Sequence, residues 1–103
     1  MFGLFSPVQS ITPNELTAQL HTRGTQLLDV REPTEFRAGH IAGAKNVPLG
    51  RISAYVPPTH TKLFVICRSG ARSKRAYKQL KARGLDVTNV AGGMLAWQGR
   101  TIS

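Results

Sequence analysis

The stretch KLFVICRSGARSKRAYKQLKARG (62–84) decides the fold of this chain. After Lys62 come four apolar residues, LFVI (63–66), a run that is typical of a central strand covered on both faces. A cysteine, two arginines and a glycine follow, and apolar residues then recur at helical spacing. The stretch therefore predicts a buried strand over 62–66, a tight loop, and a helix that begins near Arg72 and ends before Gly84.

The predicted helix over 72–83 has two chemically different faces. Its inward residues are apolar, namely Ala76, Tyr77 and Leu80. Its outward residues, called here the basic face, are Lys74, Arg75, Lys78 and Lys81. The chain has fourteen Lys and Arg against five acidic residues, a formal net charge of +9, and seven of the fourteen lie between Arg68 and Arg83. A local positive field of this kind attracts anions and speeds their encounter with the protein.

Strands and helices alternate along the rest of the chain. Further strands are predicted over 8–11, 26–30, 44–47 and 87–90, and helices over 13–23, 33–38 and 49–56, with a last helical turn after Gly92-Gly93 that contains Trp97. This order predicts an α/β domain around a parallel sheet with helices on both faces. Ligands of such sheets bind at the carboxyl ends of the strands. Cys67 stands at that end of the most buried strand, and Asp29 and Arg31 at that end of another.

Length and composition set the broad class. With 103 residues and no repeat or linker, we expect one domain over 1–103 with its core over about 8–100. No apolar stretch is long enough to cross a bilayer, and the start, MFGLFSPVQS, lacks the features of a secretory signal. A single cysteine excludes an internal disulfide and fits a reducing cytoplasm. The histidines, His21, His40 and His60, have no metal-ligand spacing around it, so neither a metal nor another cofactor is expected.

The loop Cys67-Arg68-Ser69-Gly70-Ala71-Arg72 predicts an anion site. A tight turn between a strand and a helix leaves backbone N–H groups unpaired, and the positive end of the helix dipole adds to them. In such a ring the pKa of the Cys67 thiol falls, so that it becomes a nucleophilic thiolate. A free cysteine is also among the most buried residue types, so Cys67 alone could simply end a core strand. The flanking arginines and Gly70 favour the reactive thiolate.

Three segments together resemble one known family. They are DVREPTEFRAGHIAGAKNVPL (29–49), CRSGARS (67–73) and VAGGMLAWQG (90–99), and the chain is similar to the rhodanese-like sulfurtransferases over about residues 8–100. The resemblance implies a five-stranded, mostly parallel sheet with helices on both faces. It also implies that Cys67 takes sulfur from a small anionic donor such as thiosulfate, carries it as a persulfide, and passes it to cyanide or a thiol.

Other residues acquire expected roles from their position and from this resemblance. Arg68 and Arg72 are expected to hold the sulfonate of the donor, and Ser69 either to donate to the persulfide or to satisfy the turn. Asp29 is expected to order the loop by pairing with an arginine or with loop amides. Further expectations are that Arg31 is a possible anion contact, Ser73 a helix-start cap and His40 a framework residue.

Two rival functions remain beside sulfur transfer to small molecules. The family also contains phosphatases and arsenate reductases, but their motif places the arginine one position later than Arg72, where this chain has Ser73. The other rival is a non-enzymatic binding module, or a persulfide carrier, that uses the basic face to bind an acidic protein or RNA. The chain has no RNA-binding motif and no aromatic stacking platform, which argues against nucleic acid.

Overall fold

Five strands form one sheet in the part of the chain that the computed structural model describes, residues 7–103. Most of the starting segment MFGLFSPVQS, which was predicted not to be a secretory signal, lies outside the described residues. The strands are β1 (Ser10–Ile11), β2 (Thr25–Asp29), β3 (Lys45–Asn46), β4 (Lys62–Ile66) and β5 (Val87–Val90). Their order is β1-β5-β4-β2-β3, and every neighbouring pair is parallel. The prediction of a five-stranded parallel α/β sheet is confirmed.

Helices connect the strands and cover both faces of the sheet. They are α1 (Pro13–Gln19), α2 (Pro33–Ala38), a 3-10 helix (Leu49–Ala54), α3 (Ala71–Ala82) and α4 (Gly93–Ala96). At the start of α1, the Thr12 hydroxyl accepts from the amide of Glu15, and the Glu15 carboxylate accepts from the amide of Thr12. This capping box satisfies two backbone donors that have no partner within the helix.

Alternation along β4 places its side chains in two separate cores. Leu63 and Val65 pack on one face of the sheet with residues of α3 and the 3-10 helix. Phe64 and Ile66 pack on the other face with residues of α1 and with Met94 and Trp97. Because successive strand residues point to opposite faces, Cys67 continues the first series and lies under α3.

Most strand bounds differ from those predicted by one or two residues, the first strand being Ser10–Ile11 rather than 8–11, and three helical segments differ as follows. The predicted helix over 49–56 is a 3-10 helix that ends at Ala54, since Pro57 and Pro58 have no N–H with which to extend it. The first helix ends at Gln19 rather than near Gly24, and the Thr25 hydroxyl donates to the carbonyl of Gln19. Trp97 lies just beyond α4, not within it. No helix among residues 7–103 is long and apolar enough to span a bilayer.

We expect Leu63→Ala to lower the free energy of unfolding by about 2–5 kcal/mol, because Leu63 is fully buried in the core under α3. Urea denaturation followed by circular dichroism measures this loss. Val56→Ala is the control, since Val56 is 77% exposed and its truncation should change stability by less than about 0.5 kcal/mol. Equal effects of the two substitutions would contradict the assignment of Leu63 to the core.

Candidate active site

The parallel pairing of β2 and β4 brings the predicted site residues to one edge of the sheet. Asp29 is in register with Ile66, and the amide of Val30 donates to the carbonyl of Ile66 at 2.9 Å. Cys67 and Arg31 therefore lie just beyond the carboxyl ends of two adjacent strands, β4 and β2. This is the edge at which ligands of open parallel sheets bind.

Backbone amides surround the sulfur of Cys67. The Gly70 amide lies 3.0 Å from Sγ and the Ser73 amide 3.3 Å from it, and both N–H groups donate to the sulfur. The Ser73 hydroxyl oxygen lies 3.4 Å from Sγ. The whole residue is only 1% exposed, so the sulfur exchanges water for these donors. Gly70, at φ +115°, is the N-cap of α3 and takes a backbone conformation that residues with a Cβ rarely adopt.

The environment lowers the pKa of the Cys67 thiol below its usual value of 9.0. Burial alone raises this pKa, because it removes water from around the thiolate. The Ser73 hydroxyl and the amides of Ser73, Gly70 and Ser69 lower the pKa, and together they outweigh burial. Cys67 is therefore a thiol that this site activates toward the nucleophilic, deprotonated form.

The first turn of α4 holds the loop in this shape. The Met94 amide donates to the carbonyl of Cys67 at 2.8 Å, and the Leu95 amide donates to the carbonyl of Arg68 at 3.0 Å. In a trans peptide the C=O and the following N–H point in opposite directions. Because α4 binds the carbonyls of residues 67 and 68, the amides of Arg68 and Ser69 are turned away from α4, and the Ser69 amide is one of those that lower the thiol pKa.

Only glycine fits at position 93. Its φ is +59°, and a Cβ there would lie 2.4 Å from the carbonyl oxygen of Cys67 and 2.6 Å from that of Arg68. The paired glycines of VAGGML were predicted to open the last helical turn. Gly93 also allows α4 to approach the Cys67 loop. Nothing in the sequence around the two glycines indicates this contact.

Asp29 and Arg31 form a buried ion pair beside the loop. The Arg31 guanidinium donates to both carboxylate oxygens of Asp29, at distances from 2.7 to 3.1 Å, and to the carbonyl of Gly39 at 2.8 Å. Asp29 thus has the arginine partner that was expected. Within residues 7–103, no hydrogen bond joins Asp29 to the Cys67 loop. The Arg31 guanidinium binds Asp29 and Gly39, and the Arg31 side chain is only 8% exposed. Little of this side chain is therefore accessible for the predicted anion contact.

The two arginines of the loop differ in their partners. Arg72 makes a two-bond ion pair with Glu35 of α2, at 2.6 and 2.9 Å, and both side chains are about 30% exposed. This pair holds the pKa of Glu35 at about 2, against a usual 4.5, and raises that of Arg72. Arg68 is exposed and makes no ion pair in the described structure. Arg68 is thus the loop cation that stands open to solvent.

Ser73 does not cap α3. It is the third helical residue, and its hydroxyl donates to the carbonyl of Gly70 at 3.1 Å while facing the sulfur. Gly70 takes the cap position because the loop needs its left-handed backbone there.

His40 stacks on Phe36 with ring centroids 3.6 Å apart, and its Nδ1 lies 2.8 Å from the Phe36 carbonyl, as a framework residue would.

Glu35 is the site residue that the sequence did not indicate. It was not among the predicted supporting residues, and its partner Arg72 is 37 positions away. A lone glutamate in a helical first turn is usually part of a capping box, and Glu35 does accept from the amide of Glu32 at 2.9 Å. Pairing across the sheet edge is visible only once α2 and α3 are placed.

Comparison with known proteins agrees with this geometry. The family described as "Rhodanese-like domain" matches residues 12–100. The chain belongs to this rhodanese-like family.

Relatives of this rhodanese-like chain include proteins from bacteria and plants. It is 35% identical over 96 residues to the uncharacterized protein YqhL of Bacillus subtilis, covering 90% of this chain and 75% of that one. It is 41% identical over 92 residues to Thiosulfate sulfurtransferase 18 of Arabidopsis thaliana, covering 72% and 67%. It also matches a rhodanese-like/PpiC domain-containing protein of A. thaliana at 32% identity, but spans 34% of that longer protein.

Solved rhodanese-related structures share the fold. A Thermoplasma volcanium protein superposes with a TM-score of 0.82 at 31% identity, covering 91% of this chain and 97% of that one. A rhodanese-like domain protein of Staphylococcus aureus gives a TM-score of 0.81 at 34% identity, covering 90% and 93%. The rhodanese-like architecture therefore extends over most of both chains.

We expect Gly93→Ala to raise the apparent pKa of Cys67, because the added Cβ pushes α4 away from the loop carbonyls and the amides lose their alignment. The rate of Cys67 alkylation by iodoacetamide, measured against pH, gives this pKa. Overpacking should also lower the free energy of unfolding by about 1–3 kcal/mol. Gly43→Ala is the control: φ is +87° there, but no atom lies within 4 Å of the added Cβ. An unchanged alkylation profile in a folded Gly93→Ala variant would contradict this role.

We expect Glu35→Gln to weaken the acid dependence of stability. The folded-state pKa of Glu35, about 2, is below its usual 4.5, so its ion pair stabilises the protein above pH 4.5 and this contribution is lost as the pH falls toward 2. For a pair this exposed the loss is about 0.2–1 kcal/mol. Urea denaturation at several pH values measures it, and in an Arg72→Gln background Glu35→Gln should have a smaller effect, because only the Glu32 amide and Arg31 then lower the pKa of Glu35. Parallel stability curves for Glu35→Gln and the native protein would refute the pairing.

Proposed function

We propose that this chain is a sulfurtransferase that carries sulfane sulfur on Cys67. The observation that carries the proposal is the sulfur itself, which accepts hydrogen bonds from the Gly70 and Ser73 amides and has a lowered thiol pKa. A sulfur that only ended a core strand would need no ring of donors. Membership of the rhodanese-like family and a relative named as a thiosulfate sulfurtransferase support the same activity.

In the first half-reaction a small anionic donor loads the cysteine. With thiosulfate, the Cys67 thiolate attacks the outer sulfur, a new S–S bond forms, and the old S–S bond breaks with its electron pair leaving on sulfite. Arg68, exposed and without an ion pair, is the residue we assign to the sulfonate. Arg72 contributes charge that Glu35 partly neutralises.

In the second half-reaction an acceptor removes the sulfur. Cyanide or a thiolate attacks the terminal sulfur of the persulfide, and the electron pair of the breaking bond returns to Cys67 Sγ. The remaining loop positions, Ser69, Gly70 and Ala71, hold amides near the negative charge of the persulfide. Asp29 and Arg31 form an ion pair at the end of the adjacent strand, and the Ser73 amide donates to the sulfur. No proton-transfer base is needed because the leaving groups are stable anions.

The size of the loop argues against a phosphatase. Gly70 already caps α3, and the Ser73 amide donates to Sγ from within the helix, so the ring of donors closes tightly around one sulfur atom. A phosphate ester needs donors for several oxygen atoms of a tetrahedral group. The chain has Ser73 where the phosphatase motif has its arginine.

A carrier or binding module remains the alternative. The observation that favours it is the exposed basic face of α3, which begins beside the thiol. A persulfide carrier would keep the loading step and use a protein as donor or acceptor. A pure binding module would lack that step.

The deciding experiment measures thiocyanate formed from thiosulfate and cyanide. The native protein should turn over, and Cys67→Ala and Cys67→Ser should each lose activity by at least about a thousandfold, because the nucleophile is gone. Intact mass spectrometry after thiosulfate alone should show one added sulfur atom. Cys67 is the only cysteine, so the site of addition is unambiguous.

Three outcomes separate the candidates. Turnover together with the adduct, both absent from the Cys67 variants, supports the sulfurtransferase. The adduct without turnover supports a carrier that awaits a protein acceptor. Neither signal, in a native protein that circular dichroism shows to be folded, would overturn sulfur transfer from thiosulfate.

A further inference from the structure

Among residues 7–103, no acidic side chain forms an ion pair with the basic face of α3. All four of its side chains, Lys74, Arg75, Lys78 and Lys81, are exposed. The only two ion pairs among residues 7–103 are Arg31–Asp29 and Arg72–Glu35, and neither involves this face. Glu15 accepts from the Thr12 amide in its own capping box. Unpaired like charges on one helix face repel one another, and binding of an anionic partner would relieve this repulsion.

This face begins at the thiol. The Lys74 amide donates to the carbonyl of Gly70 at 3.1 Å, one residue after the Ser73 amide that donates to Cys67 Sγ. From Lys74 to Lys81 the face extends about 10 Å along the helix axis. Exposed Arg68 belongs to the loop itself. An anionic partner lying along α3 therefore has one end at the Cys67 loop.

An apolar side chain completes the rim of the loop. Leu95 is 64% exposed, and its amide donates to the carbonyl of Arg68, which places it directly beside the loop. The other large apolar side chains exposed in residues 7–103, Val56 and Ile102, belong to other segments of the chain. Leu95 therefore lies beside the exposed cation Arg68, and an apolar side chain next to an exposed charge is typical of protein-binding surfaces.

We propose that Leu95, Arg68 and the basic face of α3 form a docking surface for an acidic protein that presents a thiol to the Cys67 persulfide. The proposal rests on the sulfurtransferase function above and names its acceptor class. A second copy of this chain is a poor occupant, because two surfaces of the same charge repel. RNA is disfavoured because no exposed aromatic side chain lies among the large exposed apolar residues of the described chain.

The burial of Cys67 is compatible with a protein acceptor. Sγ is enclosed, but the persulfide adds one S–S bond of about 2 Å, and the acceptor attacks the added sulfur rather than Sγ. The acceptor thiolate forms a bond to that sulfur, the S–S bond to Cys67 breaks, and its electron pair returns to Sγ as thiolate. The acceptor leaves as a persulfide, and no oxidant or reductant is consumed.

The test follows single-turnover sulfur transfer from preloaded Cys67 persulfide to synthetic peptides, with intact mass spectrometry as the readout. Three peptides share a central cysteine next to a phenylalanine and differ in flanks of glutamate, serine or lysine. The native protein should transfer to the acidic peptide about tenfold faster than to the serine peptide at low salt, and this advantage should shrink at high salt. The lysine peptide should be the slowest.

Charge reversal provides the matched comparison. Lys74→Glu/Lys78→Glu should abolish the preference for the acidic peptide and favour the lysine peptide. Arg23→Glu/Lys62→Glu makes the same change in net charge with exposed residues near the amino ends of β2 and β4, and should keep the native preference. Leu95→Ser should slow transfer to the phenylalanine-containing acidic peptide severalfold more than transfer to the same peptide with glycine in place of the phenylalanine.

The outcomes distinguish this proposal from the function on which it rests. If thiosulfate adds no sulfur to Cys67, the proposed function fails before docking is tested, and an independently loaded persulfide, made with a polysulfide, is then used for the peptides. If the persulfide forms but the three peptides react at equal rates, the docking surface is refuted. It is refuted in favour of RNA if Lys74→Glu/Lys78→Glu loses salt-dependent binding of single-stranded polyadenylate without altering peptide preference.

Discussion

Two hydrogen bonds from α4 to the carbonyls of Cys67 and Arg68 are the interaction on which the site depends. They are possible only because Gly93 lets the two backbones approach within a distance that any Cβ would block. Since each peptide unit is planar, turning those carbonyls toward α4 turns the next amides away from it. The distant VAGGML segment thus orients the Ser69 amide, one of the donors that lower the pKa of the Cys67 thiol. Positioning of this kind lets backbone groups stabilise a thiolate without a side chain that acts as a proton-accepting base.

Of the three arginines at this edge of the sheet, two form ion pairs within the protein and one is exposed to solvent. Arg31 neutralises the buried carboxylate of Asp29, and Arg72 pairs with Glu35 across the edge. Arg68 remains exposed. A buried charge requires a partner, whereas an exposed one is stable in water and can meet a substrate or another protein. The surroundings of each arginine therefore decide which one is available for binding, although the sequence analysis considered an anion contact for all three.

Sequence patterns were most informative where one local rule determined the structure. The apolar run of β4 and the apolar face of α3 were predicted closely, because burial on both faces and helical spacing leave clear periodic signals. The type of helix predicted after Pro48 was wrong, because a 3-10 helix and a short α-helix have similar apolar spacing over one turn. Ser73 was wrong in role, because a serine at a helix start is commonly a cap and its contact with Sγ depends on the loop shape.

By itself the sequence determined the α/β class, the loop between β4 and α3, the presence of one cysteine in a ring of potential donors, and a helix with one basic face. These properties follow from residue type and short-range spacing. Only the tertiary structure decided which groups face the sulfur, which arginines are neutralised, and that Gly93 and Glu35 belong to the site. Those contacts join segments such as α2 and α3, which are separated by 37 positions at the Glu35–Arg72 pair. Partners so far apart in the chain are chosen by the packing of the whole sheet, and no local spacing encodes them.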